Sequence, residues 1–276
     1  MSDVPPPPRP RQDNGTPPPQ REPRLTDDLV MGLRFFSRLP TGDRPFEAPD
    51  LGRIAIGLAF TSVVIGFGPA LLMLLGAWAG LPAYFAATLG VMLMLAATGA
   101  MPDDALADAA DGLIGGATIE RRLEIMKDSR HGTYGVAALG LYLMFRITAL
   151  GALLAVNPLA AGGVWLAATV VARAGSLWLS LELPNAREGG ASAAVGRVPR
   201  QAFWIGAGFA TLCCLVLAAP FTSIVAVVLA LLAAAGVALA WSTACRRLIG
   251  GQTGDLIGAL HALIEVAVLT ILLLFA

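Results

Sequence analysis

The sequence predicts an all-α integral membrane protein with about seven transmembrane helices, polar loops gathered on one face and the N-terminus on that same face. Two observations carry this. Of 276 residues, 56% are apolar and 14% charged, against about 45–50% and about 25% in a soluble domain. The charges are also confined. None lies between Ile54 and Pro102, and none between Gln201 and Cys245. The 19 basic and 19 acidic side chains cancel, which excludes nucleic-acid binding through a bulk positive field.

A helix needs about 20 apolar residues to cross a bilayer, so each charge-free block holds two crossings, with breaks at Gly80-Leu81-Pro82 and at Pro220. The expected spans are 54–80, 82–101, 134–156, 158–183, 202–219, 221–240 and 257–276. A β-barrel does not fit, because the runs are continuously apolar and lack a period of two. The first 24 residues hold nine prolines and form an expected disordered tail that cannot build a core. No apolar stretch there makes a signal peptide. Residues 25–39 follow as an amphipathic helix on the membrane surface, with Leu25, Leu29, Leu33 and Phe36 on one side and Pro40 ending it. Residues 25–276 then form one membrane domain. Cys213, Cys214 and Cys245 lie in or beside apolar segments and read as packing residues.

Orientation follows from the basic residues. Eight Arg precede the first crossing; Arg121, Arg122, Lys127 and Arg130 lie between the second and third. Arg187, Arg197 and Arg200 follow the fourth, and Arg246 and Arg247 follow the sixth. With seven crossings all these segments share one face, which the positive-inside rule makes cytoplasmic.

The chemistry is expected in those loops. Met101 to Thr133 carries seven acids. Asp104, Asp108 and Asp111, at i, i+4 and i+7, share one helical face, beside Asp103. Like charges so spaced repel, and a hard divalent cation, Mg²⁺ or Mn²⁺, would offset them; the plainer alternative is a solvated acidic helix end. Lys127, Asp128 and Arg130 precede a glycine-flanked helix start, Gly132 to Gly135, suited to an anion. Two further Gly-rich loops hold Arg187 and Asp255. Carboxylates for a metal with cations for phosphate suit phosphoryl transfer. Arg146, Arg173 and Glu265 stand inside predicted spans, either as an ion pair of Glu265 with one arginine or as the lining of a polar cavity. His131 has no assigned role.

Five ordered blocks carry a resemblance. Arg34-Phe-Phe-Ser-Arg-Leu-Pro40, Asp104-Ala-Leu-Ala-Asp-Ala-Ala-Asp-Gly-Leu113, Glu124-Ile-Met-Lys-Asp-Ser-Arg-His-Gly-Thr-Tyr-Gly135, Pro184-Asn-Ala-Arg-Glu-Gly189 and Gly250-Gly-Gln-Thr-Gly-Asp255 resemble the cobalamin synthase (adenosylcobinamide-GDP ribazoletransferase) family. The likeness runs from about Leu25 to the C-terminus. It implies a bacterial inner-membrane enzyme that uses Mg²⁺ to join adenosylcobinamide-GDP to α-ribazole, or its 5′-phosphate, releasing GMP. It further implies Asp104, Asp108 and Asp111 as metal ligands and catalytic groups, with Lys127 and Asp128 catalytic, one of the acids serving as base. Arg38, Arg130, Arg187 and Asp255 would bind substrate. The family usually has His-Leu-Asp-Gly where Pro102-Asp103-Asp104-Ala105 stands here, and an apolar residue at His131, which argues against a catalytic His131. Competing readings are a CDP-alcohol-phosphotransferase-like enzyme, whose Arg and longer Asp spacing are missing, and a transporter, which would show repeated halves with paired helix breaks. A homo-oligomer is compatible with the sequence, which sets no number of copies.

Overall fold

The structure, a computed structural model, describes residues 25–43, 48–128, 130–187 and 196–276. The expected Pro-rich tail lies outside them. The described residues form eleven helices: α1 (Leu25–Phe36), α2 (Leu51–Trp78), α3 (Ala83–Thr98), α4 (Met101–Gly115), α5 (Ile119–Ile125), α6 (Thr133–Val156), α7 (Pro158–Ser176), α8 (Trp178–Glu182), α9 (Arg200–Ala218), α10 (Ile224–Leu248) and α11 (Gly254–Leu273). Among them there is no β-strand, only a single bridge between Asn185 and Gln252.

Local chemistry explains the helix ends. Asp50 accepts hydrogen bonds from the Gly52 and Arg53 backbone N–H at the start of α2. Asn157 caps α7 ahead of Pro158, Ser223 caps α10 and Thr253 caps α11. The 28 residues of α2 rise about 42 Å, more than a bilayer core requires. Six helical segments, α2, α6, α7 with α8, α9, α10 and α11, are long and apolar enough to cross a membrane. α3 and α4 together make a seventh if the bent pair counts as one span. α10 continues to Leu248, eight residues past the expected end at 240. Arg246 and Arg247 therefore sit in its last turn, where cations suit the carbonyl end.

α7 is the axis of the bundle. Its residues are buried all round, Trp165 completely, and it packs against α2, α9 and α11. The outside is apolar as well. Leu141 is 69% exposed and Phe67 58%, which suits lipid and not water. α1 lies on α2, where Arg53 pairs with Asp28 at 2.6 Å and Met31 is buried beside Ile54 and Phe203.

The second crossing differs from the expected continuous helix over 82–101. α3 and α4 meet at 86°, because Gly99 (φ 64°) and Ala100 (φ 55°) are both left-handed. The Ala100 N–H closes the end of α3 on the Leu95 carbonyl at 2.8 Å, and Pro102 opens α4 where no donor is needed.

What holds α4 in place is a buried cluster of charges. Arg146 Nη1 donates to Asp103 Oδ1 at 3.0 Å, and Arg146 Nε lies 3.5 Å from Glu265 Oε1. Trp165 Nε1 donates to Glu265 Oε1 at 3.1 Å, the Tyr142 hydroxyl donates to Oε2, and His261 Nε2 stands 3.6 Å from Oε2. The Arg146 guanidinium also lies over the Tyr142 ring at 4.9 Å. Glu265 thus pairs with Arg146 rather than Arg173, whose buried Nη1 has no hydrogen-bond partner among the described residues and whose guanidinium lies 5.9 Å from the Phe36 ring. Asp103 is 2% exposed and is an interior ion-pair partner.

Two outcomes test this description. Arg146→Met leaves two carboxylates buried without their cation, and we expect a loss of about 3–5 kcal/mol, seen as a collapse of the thermal unfolding midpoint in detergent. Ala100→Gly relieves a left-handed alanine and should raise stability by about 0.5–1 kcal/mol after the added chain entropy of glycine, read as a higher midpoint.

Candidate active site

α4 runs along α6 from the buried Asp103–Arg146 pair at mid-helix to the α6 N-terminus, so its acids are delivered to one end of the bundle. Close approach makes this course possible. A Cβ at Gly258 of α11 would stand 2.4 Å from the Ala105 Cβ, and one at Gly135 would stand 2.9 Å from the Ala107 carbonyl oxygen.

At that end Asp104 and Asp108 meet His131. One ligand atom from each lies within 4.8 Å of the others. His131 Nε2 is 3.6 Å from Asp104 Oδ1, and Nδ1 is 3.6 Å from Asp108 Oδ1. The Asp104 side chain is 61% exposed and that of Asp108 17%, so the group opens to solvent on one side only. Asp255 and Asp111 add negative charge close to Asp108. Such mutual repulsion at close range calls for a cation.

Asp111, expected as the third metal ligand, does not join this group. Its oxygens accept the N–H of Gly132 at 2.6 Å and of Gly135 at 2.8 Å. Gly132 is the N-cap of α6 and has no side chain, so Asp111 caps that helix from α4. It shares a face with Asp104 and Asp108, but the α6 N-terminus settles over it. A Cβ at Gly135 would lie 2.3 Å from Asp111 Oδ2 and 2.9 Å from the Ala107 carbonyl oxygen, so a larger residue would push the capping carboxylate off the helix end. His131 takes the place beside the two acids instead, against the expectation drawn from its family position.

The later loops close on the same region. Pro184–Ala186 and Gln252 pair through backbone, with Ala186 N donating to Gln252 O and Gln252 N to Pro184 O, both at 2.9 Å. The Gln252 amide donates to Asn185 Oδ1. This clamp sets Arg187 Nη2 at 3.4 Å from Asp255 Oδ2, where Asp255 also accepts from Thr253 Oγ1. The Arg187 Nη1 is buried without a hydrogen-bond partner among the described residues, so the site holds a spare cationic donor. Arg122, which sequence reasoning used only as a topology marker, ties the region together by donating to Gly116 O at 2.9 Å and to Leu248 O at 2.8 Å.

The remaining expected residues are placed less centrally. Arg38 is exposed and lies against Gly99 at the α3–α4 bend. Lys127 is exposed. Arg130 grips Asp128 through two side-chain hydrogen bonds at 3.0 and 2.7 Å, which hold the Asp128 carboxyl down at about 2. Both are solvent-facing, at 87% and 40% side-chain exposure, so this is a surface pair outside the carboxylate group. Residues 188–190 of the third loop lie outside the described residues.

The assembly can hold a cation on Asp104, Asp108 and His131 and an anionic group on Arg187, side by side. Comparisons with known proteins place the chain in a family. The family model described as cobalamin-5-phosphate synthase matches residues 28–273. The chain is 41% identical over 261 residues to the adenosylcobinamide-GDP ribazoletransferase of Azorhizobium caulinodans, covering 93% of this chain and 98% of that one. It is 40% identical to that of Xanthobacter autotrophicus, covering 91% and 96%. For the Rhizobium meliloti protein the identity is 39%, covering 89% and 95%. No solved structure matches. With a family model over residues 28–273 and relatives about 40% identical over nearly their whole length, the chain belongs to the cobalamin-5-phosphate synthase family.

Proposed function

We propose that this chain is an adenosylcobinamide-GDP ribazoletransferase of the bacterial inner membrane, working at the cytoplasmic face with Mg²⁺. Its substrates are adenosylcobinamide-GDP and α-ribazole or α-ribazole 5′-phosphate, and its products are adenosylcobalamin or its 5′-phosphate, and GMP. The observation that carries the reading is the convergence of Asp104, Asp108, Asp255 and Arg187 from distant parts of a chain of this family.

The donor set fits a hard divalent ion. Asp104 and Asp108 supply carboxylate oxygens, and the open side of Asp104 leaves room for water and substrate oxygens. Bound there, Mg²⁺ supplies neutralisation of diphosphate charge. The chain's own groups do the rest. Arg187, held by the Asn185–Gln252 clamp, offers its spare Nη1 to a phosphate oxygen. Arg38 extends the cationic border at the bend. The ribazole 3′-hydroxyl oxygen attacks the phosphorus nearest cobinamide, the bond from that phosphorus to the oxygen of the leaving phosphate breaks, and GMP departs. Asp255, the remaining carboxylate facing the group, takes the hydroxyl proton. Asp128 is a weaker base, because hydrogen bonds from Arg130 hold its carboxyl down at about 2. A transporter would be expected to show paired breaks, and the described residues hold one bent pair.

Two substitutions on α4 separate the roles. With purified protein, adenosylcobinamide-GDP, α-ribazole and Mg²⁺, Asp108→Asn should lower GMP release by about 100-fold or more with little change in thermal midpoint. Asp111→Asn should instead cost about 1–2 kcal/mol of stability, as the loss of a buried helix cap. Asp108→Asn activity near that of the unsubstituted protein would sink the metal assignment.

A further inference from the structure

We infer that His131 is a direct ligand of the divalent ion held by Asp104 and Asp108, making a two-carboxylate, one-imidazole site. The inference rests on the metal reading above and adds a ligand to it. Both ring nitrogens face a carboxylate oxygen at 3.6 Å. That is too long for a hydrogen bond. One of the two nitrogens can serve the shared ion. For that nitrogen, 3.6 Å to its facing carboxylate, with one ligand atom of the other acid within 4.8 Å, lies near the roughly 3 Å that bonds of about 2.0–2.1 Å set between adjacent donors.

The surroundings support ligation over a simple ion pair. The His131 side chain is 37% exposed, so an ion can reach it. It stands directly before Gly132, whose N–H is fixed by Asp111 at 2.6 Å, so the backbone presenting the imidazole is anchored to the helix that presents the acids. Among the described residues, Asp104 and Asp108 remain the two acids of this group with neither an arginine nor a helix cap on them, while Asp111 is capped by α6 and Asp255 is paired with Arg187. A divalent ion satisfies both, with an imidazole among its donors. Mn²⁺, which takes carboxylate and water donors as Mg²⁺ does, serves as the paramagnetic probe of the same site.

The test uses tag-free full-length protein in detergent and pulsed electron paramagnetic resonance of bound Mn²⁺. The chain holds two histidines, and His261 is 5% exposed inside the Glu265 cluster, so imidazole nitrogen coupling on an accessible ion reports His131. Nitrogen coupling is expected in the unsubstituted protein and should vanish in His131→Gln. That variant should bind Mn²⁺ at least about tenfold more weakly. Mn²⁺ that binds without nitrogen coupling, yet is lost in Asp108→Asn, overturns the His131 ligand and leaves the acid site standing. Coupling that persists in His131→Gln also overturns it. Failure of Mn²⁺ to bind at millimolar concentration overturns both readings together.

Discussion

Burying a carboxylate is costly unless every lone pair is met, and the position of α4 depends on two carboxylates that are met. Asp103 is held by Arg146 at one end of the helix and Asp111 by two backbone N–H groups of α6 at the other. Eight residues, about 12 Å of helix, separate them. Between these anchors α4 can neither rotate nor slide without stripping an acid of its partner. Asp104 and Asp108 are therefore carried to a fixed place at the end of the bundle, where the Asp255 loop and His131 complete the group. The two exposed-side acids are placed by two partnered acids on the same helix.

The Arg146 cluster extends that constraint across the bundle. Glu265 of α11 takes donors from α6 and α7 and stands beside Arg146, which reaches back to α4. Four helices thus share one polar centre. In an apolar medium helices gain little by hiding hydrophobic surface from each other, so hydrogen bonds and close packing decide which partners meet. A cluster satisfied by one arrangement selects that arrangement against sliding alternatives. Small residues do the complementary work, with Gly135 and Gly258 letting α6 and α11 approach α4 closely.

Much of this was legible in the chain, for particular reasons. Charge-free stretches such as Ile54–Pro102 mark helices long and apolar enough to cross a membrane, because a bilayer core leaves no place for unpaired charge. Convergence of Arg187 and Asp255 with the α4 acids followed from the expectation that the polar loops share one face. The bend did not, since Gly99 is an ordinary helix stop and Ala100 carries no preference for left-handed backbone. The split of the acid face was equally hidden. Helical periodicity puts Asp104, Asp108 and Asp111 together, but only the tertiary contact with Gly132 and Gly135 shows which of them is a cap. His131 gives no local sign of its role, because its meaning lies in two distances to residues more than twenty positions away.

The broken second crossing is what reconciles these demands. A straight helix continued from α3 would carry Asp103 to Asp111 onward along one line, away from the Arg146 centre. Turning the chain by 86° at Gly99 and Ala100 ends the apolar half before its first acid and starts the acidic half against α6 and α11, where partners exist. The cost is one left-handed alanine, roughly 1–2 kcal/mol. Leaving even one of the two anchoring acids unpartnered in the interior would cost more. The strain at the bend is thus the smaller of two penalties, and it is also what aims Asp104 and Asp108 at the loops that bring the arginine and the histidine.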